Sequence, residues 1–301
     1  GSKFTWQFIT VNTAPVPGTS LSGIVADPGP DLQPGTIDDV AAGPDHVLMT
    51  ADDVYKLPIA GVKVFILGHE DQAVYTAADG SFTLSPIPTG DVKLSLEGMT
   101  ATNPPAGIYF ANMVMDLHIL PGVVNTVMAA MASDDTMAKA NTEPGVYLPR
   151  LQTSLLKNVD ATQGAMITTD AVSAPNLTPD QRQNLSVDVM PNSMLGADGK
   201  PLANAQIGIS TVPPALVADM LPPGLMQHTF DITVQAPGVA VFSTPAPLTF
   251  PNVFNSPPGT KLNFLSFDHT TGRLVIEGTA TVSADGKSVT TDPGTGVTHP
   301  G

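Results

Sequence analysis

The chain contains no cysteine, few charges and almost no helical periodicity, and each shortage excludes a class of protein. Without cysteine there are no disulfides and no thiolate metal sites, although this leaves the compartment open. Only 12 of the 301 residues are Lys or Arg, against 27 Asp and Glu, so there is no basic face for nucleic acid or anionic lipid. The charged fraction is 13%, but 42% of residues are apolar, which excludes an intrinsically disordered chain. No apolar run reaches the length of a membrane-crossing helix, and no membrane insertion is expected. The histidines, His46, His69, His118, His228, His269 and His299, are far apart and form no H-x-x-H cluster. No G-x-S-x-G elbow supplies an activated serine, so no enzymatic activity and no catalytic residues are expected.

What is present is acid, unevenly placed. Residues 1–149 carry a net charge of −11 and residues 150–301 only −4. Asp27, Asp31, Asp38, Asp39, Asp45, Asp52 and Asp53 crowd into one stretch, with no Lys or Arg between Lys3 and Lys56. The stretch is a repeat. Gly29-Pro30-Asp31 leads to Thr36, Asp38, Asp39 and Val40, and Gly43-Pro44-Asp45 leads to Thr50, Asp52, Asp53 and Val54, a period of 14. Carboxylates this dense repel one another unless a cation or water screens them. Ca²⁺ takes oxygens from carboxylates and main-chain carbonyls held by Gly, Pro and Asp turns, so all seven aspartates are candidate Ca²⁺ ligands. The pattern is not that of an EF-hand loop, and Mg²⁺ fits less well because it keeps more of its water. A solvated acidic loop without an ion is the competing reading.

Elsewhere, period-2 alternation and turn signals dominate. Phe4–Ile9, Leu21–Val25, Gly61–Leu67, Ser81–Leu84 and Val92–Leu96 read as strands, with Asp79-Gly80 as a turn. Tyr109–His118 and Asn125–Met131 are apolar enough to continue the sheet. The polar stretch 133–145 is the best boundary, with Tyr147-Leu148-Pro149-Arg150 opening a second unit. There, Leu185–Val189, Ile207–Ile209, Phe230–Val234 and Leu274–Val282 read as strands. Thr178-Pro179-Asp180-Gln181 has the cap and first-turn chemistry of one short helix. The fold expected is all-β, with two β-sandwich domains at 1–145 and 146–301.

The run Gly61-Val62-x-Val64, Asp79-Gly80-x-Phe82-x-Leu84, Ile87-Pro88-x-Gly90 and Val92-x-Leu94-x-Leu96 resembles a carboxypeptidase regulatory-like, transthyretin-related domain. The resemblance implies a small Greek-key sandwich, and the acidic segment 27–54 would be a long insertion between its early strands. A connection of that length needs something to organise it, and an ion is the expected staple. In the second half, Ser266-Phe267-Asp268-His269, Gly272-Arg273, Thr281–Gly286 and Thr291-Asp292-Pro293-Gly294 resemble a module of very large bacterial surface proteins. Such modules lie near RHS/YD-type repeats, and the pairing is similar to the transthyretin-related and fibronectin-plug pair of teneurin-like proteins. That implies an Ig- or fibronectin-like second sandwich without catalytic residues.

The function expected is therefore a non-catalytic structural or adhesive module, extracellular or on a bacterial cell surface and rigidified by Ca²⁺. Its partners would be the remaining domains of a larger chain, or a surface protein or glycan. Gly1-Ser2 looks like a cloning scar, in keeping with an excised fragment. Alternatives are an accessory or plug domain of a secreted toxin or hydrolase, and a carbohydrate- or protein-binding module. Self-cleavage at His228-Thr229, Asp27-Pro28 or Asp292-Pro293, a Lys63 crosslink and an Asp268-His269 catalytic pair are weighed and set below these readings.

Overall fold

The computed structural model describes residues 14–32, 34, 36–48, 50, 53–54, 56–127, 145–212, 231–268 and 273–301. The expected strand at Phe4–Ile9, most of the boundary stretch 133–145, the segment beyond Val127 in Asn125–Met131, Phe230, the His228-Thr229 pair and His269 lie outside them.

The chain is all-β. Its first half forms β1 (Ser20–Asp27), β2 (Leu57–Pro58), β3 (Lys63–Ile66), β4 (Val74–Tyr75), β5 (Ser81–Leu84), β6 (Gly90–Glu97), β7 (Ile108–Phe110), β8 (Met113–Ile119), β9 (Val124–Thr126), β10 (Val146–Tyr147) and β11 (Arg150–Gln152). The rest forms β12 (Lys157–Asn158), β13 (Ala165–Thr168), β14 (Ser186–Val189), β15 (Met194–Leu195), β16 (Gln206–Val212), β17 (Asp231–Gln235), β18 (Val241–Phe242), β19 (Leu248–Pro251), β20 (Lys261–Asp268), β21 (Arg273–Val282) and β22 (Ser288–Thr291). Pro179–Arg182 is the short helix, and the Thr178 hydroxyl accepts the Gln181 amide as its cap.

Two large apolar clusters organise these strands. In the first, β4-β3-β6-β8 form one sheet, and β1 with β2, β5, β9 and β10 forms another. Register stacks Val64 on Leu96, Ile66 on Leu94 and Leu94 on Met115, all buried, because alternate residues of each strand face the same way. Leu21 and Val25 of β1, with Phe82 and Leu84 of β5, meet them in the same cluster. Gly23 lies between Leu21 and Val25, and a Cβ there would come within 3.1 Å of the Phe82 ring and 3.2 Å of Val127, so both side chains pack tightly over the strand at a position without a side chain.

The second cluster draws Ile167, Val187, Val189, Leu248 and Phe264 from the six-stranded sheet β13-β14-β19-β22-β21-β20. Ile207, Ile209 and Val234 come from β12-β16-β17, and Met194 and Phe242 from β15-β18. The segment Tyr147–Arg150, read above as opening the second unit, is tied to the first half. Val25 pairs with Val146 and Ala26 with Tyr147 in parallel, Arg150–Gln152 pair with β7, and Val146 and Leu148 lie in the first cluster. The reason is apolar periodicity: Val146 and Leu148 face the same side and find the core that β1 leaves open. The clusters also touch. Ala26, Tyr147 and Val212 pack together, Phe267 packs on the first cluster, and the Tyr109 hydroxyl donates to Gln235 Oε1 at 2.9 Å.

Candidate functional site

The acidic loop leaves the end of β1 and returns to β2, and its sequence repeat is also a conformational repeat. In the first unit the Leu32 amide bonds the Gly29 carbonyl at 3.3 Å, and in the second His46 bonds Gly43 at 3.0 Å. Leu32 and His46, the equivalent positions, both take positive φ, 63° and 58°. Such a backbone is strained for a leucine, so the turn and not the side chain dictates it. A second turn follows in each unit, Asp39 N–H to Thr36 O at 3.2 Å and Asp53 N–H to Thr50 O at 3.5 Å. The units are then tied by an antiparallel bridge between Ala41 and Val54, with both N–H···O distances 3.0 Å.

The second aspartate of each Asp-Asp pair turns inward and does the same work in both units. Asp39 is fully buried and Asp53 nearly so. Asp39 Oδ2 accepts the Thr36 amide at 3.2 Å, and Asp53 Oδ2 accepts the Thr50 amide at 2.9 Å. Asp53 Oδ1 also accepts the Gly43 amide at 2.9 Å, closing the second unit across ten residues. In the first unit, Gly29 approaches Asp38 and Asp39 so closely that a Cβ would lie 2.7 Å from Asp38 Oδ2 and 2.8 Å from Asp39 Oδ1. Its φ of 74° likewise favours glycine.

The other carboxylates lie nearer solvent. Asp38, half-buried, accepts the Asp31 amide at 3.0 Å on Oδ2 and the Thr36 hydroxyl at 2.5 Å on Oδ1. Asp31 and Asp45 are exposed, and Asp45 Oδ1 accepts the Val47 amide at 2.8 Å in an Asx turn. Asp52 lies outside the described residues. His46 is exposed in the second unit.

Asp27 stands apart from the rest. It is buried at the end of β1 and gripped by Arg150: Nη2 donates to Oδ2 at 2.6 Å and Nε donates to Oδ1. The Gly29 amide adds a third bond at 3.1 Å. Both side chains of the ion pair are more than nine-tenths covered, so this is a bidentate pair sheltered from water. Lys56, where the loop returns, is also buried, with its ammonium 6.0 Å from the centroid of the Tyr147 ring. Two cations thus sit at the base of a loop whose own sequence contains none. Sequence reading missed both. Arg150 lies 123 positions from its partner, and no local pattern connects them.

Seven aspartates were expected to act as one ligand set, and the six described ones have different duties. Asp27 neutralises an arginine, Asp39 and Asp53 cap main-chain turns, Asp38 is half-buried and accepts from Asp31 and Thr36, and Asp31 and Asp45 are exposed. Among the described residues, no group of three or more acidic or histidine side chains is assembled to hold a metal ion.

The remaining candidates have structural surroundings. Lys63 lies across from Glu97, with Nζ 3.3 Å from Oε1 and 4.7 Å from the Phe65 ring centroid. Asp292 accepts from Lys261 Nζ at 2.6 Å and from the hydroxyls of Thr279 and Thr281. Lys261, followed by the two threonines, holds its carboxyl down to about 2. Asp268 lies opposite Arg273 in backbone register, at the end of the β20–β21 pairing.

Compared with models of protein families, with curated proteins and with solved structures, the chain matches none.

Proposed function

We propose that this chain is a non-catalytic structural or adhesive module of a large secreted or cell-surface bacterial protein, with its acidic loop rigidified by Ca²⁺. The observation that carries the reading is the coincidence of the two repeats: the 14-residue unit recurs both in sequence and in backbone conformation. A loop duplicated in this way, with its base fixed by a buried ion pair, is built to hold a shape. The resemblance of the strand run 61–96 to transthyretin-related sandwiches and of the second half to surface-protein modules supports the same reading. In it, the two halves of the chain are two sandwiches in tandem, the first a Greek key and the second Ig- or fibronectin-like.

Within this proposal the ion is held by the carboxylates of the exposed Asp31 and Asp45 and the half-buried Asp38, together with Asp52. Asp39 and Asp53 keep the turns in place beneath them. The ion would supply charge neutralisation and a crosslink between the two units. An ion bound only by the folded loop stabilises by RT ln(1 + [Ca²⁺]/Kd), about 2.7 kcal/mol at one hundred times Kd. Extracellular calcium is high enough to fill even a weak site, so rigidity would follow export.

Thermal unfolding in calcium and in EDTA tests this. Calcium is expected to raise Tm by several degrees, and Asp38→Ala is expected to abolish the response. Superimposable melts in calcium and EDTA would remove the ion from the proposal.

A further inference from the structure

We propose that β1 is a shear clamp, a strand that makes the first half of the molecule resist tension applied through its two ends. This deepens the structural role proposed above, but it rests on strand directions and not on calcium.

β1 is hydrogen-bonded along both edges. On one edge it runs antiparallel to β5, from Leu21↔Leu84 to Ile24↔Ser81, and then to β2 at Ala26 and Asp27. On the other it runs parallel to β9, from Ser20↔Val124 to Ser22↔Thr126, and then parallel to β10 at Val25↔Val146 and Ala26↔Tyr147. Further bonds complete that edge, Val127 N–H to Ser22 O at 2.9 Å and Leu148 N–H to Ala26 O at 3.0 Å. Among the described residues β1 is the first strand of this body, and the chain passes from it toward the second cluster through β10 and β11.

Direction decides the mechanics. In a parallel pair, the N-terminal end of one strand and the C-terminal end of the other lie at opposite ends. Tension between the entry to β1 and the exit after β11 therefore slides β1 lengthwise, and all its hydrogen bonds carry load together. Had β10 run antiparallel to β1, the same tension would peel the pair apart one bond at a time. Sliding also drags Leu21 and Val25 through the first apolar cluster. The Asp27–Arg150 ion pair is placed for the same task, since it joins the far end of β1 to the exit segment and is shielded from competing water. Forced unfolding is governed by the unfolding barrier, which concerted rupture raises.

The absence of cysteine allows handles to be placed at will. Pro17, Ser85 and Ser154 are exposed. In the full chain, Pro17→Cys with Ser154→Cys loads β1 in shear. Pro17→Cys with Ser85→Cys pulls from one end of the β1–β5 pair, beside the Val16↔Ile87 bridge, and peels it. Single-molecule pulling at one speed, with EDTA present, is expected to give a several-fold higher unfolding force in the first geometry. Arg150→Met is expected to lower that force more than it lowers the peeling force. Equal forces in the two geometries, or a lower force in shear, overturn the clamp. Because calcium is absent from the experiment, that result is separate from a missing calcium response. If Arg150→Met does not fold, the comparison of the two geometries still decides.

Discussion

Carboxylates are accommodated in two ways in this molecule, and the acidic loop and the second sheet each show one. Asp39 and Asp53 are braced by main-chain amides three to ten residues away. Asp292 is braced by side chains from neighbouring strands, Lys261 and the hydroxyls of Thr279 and Thr281, 11 to 31 residues away. The loop's bracing lies within its own turns, so the 14-residue pattern repeats in sequence and its described turns repeat in conformation. The sheet site depends on register: Lys261 lies opposite Thr281 in β20 and β21, and Thr281 opposite Thr290 beside Asp292. Asp27 belongs to the second class although it begins the loop, because its partner Arg150 arrives from another strand. Local bracing forms with the turn, and distant bracing forms with the fold.

That contrast is open to test. The largest effect is expected from Arg150→Ala, which leaves the buried Asp27 carboxylate uncompensated and costs about 3–5 kcal/mol in denaturant unfolding. A loss below 1 kcal/mol would mean that Asp27 is not anchored from a distance. Asp39→Ala and Asp53→Ala each remove a turn cap and are expected to cost about 0.5–2 kcal/mol, with similar values for the two. Markedly unequal losses would show that the two units are not equivalent. The smallest effect concerns Asp292. A carboxylate held near 2 when folded, against an ordinary 3.8, contributes stability that is complete above the ordinary value and is lost as pH falls through about 2. Melting curves of Asp292→Asn are therefore expected to fall less steeply than those of the parent chain between pH 4 and about 2. An identical acid limb would mean that the Lys261 and threonine contacts do not favour the ionised form.

Much of the secondary structure was legible in the sequence. Val62, Val64 and Ile66 alternate onto the core, Val92 and Leu94 do the same in β6, and Thr178-Pro179-Asp180-Gln181 caps the helix where expected. These signals are local: side-chain alternation, turn residues and cap chemistry act within a few residues. Tyr147–Arg150 was misplaced because its strand pairing is parallel, and parallel partners carry no hairpin signal between them. The candidate site was legible in part. The repeat pointed to a built loop, and Gly29 and Gly43 marked its turns. It did not separate the buried aspartates that cap turns from the more exposed ones, because Asp38 and Asp39 are neighbours of the same type and differ only in burial and hydrogen-bond partners.

By itself, the sequence determined that this chain is β-rich, that its acid is concentrated and that the concentrated acid is duplicated. Those properties follow from residue type and spacing, which act through local sterics and hydrogen bonding. Tertiary structure alone decided that Arg150 and Lys56 supply the positive charge the loop lacks. It also decided that β1 is bonded on both edges with β10 running parallel to it. Both depend on which distant segments meet, and that is settled by burial of the whole apolar surface.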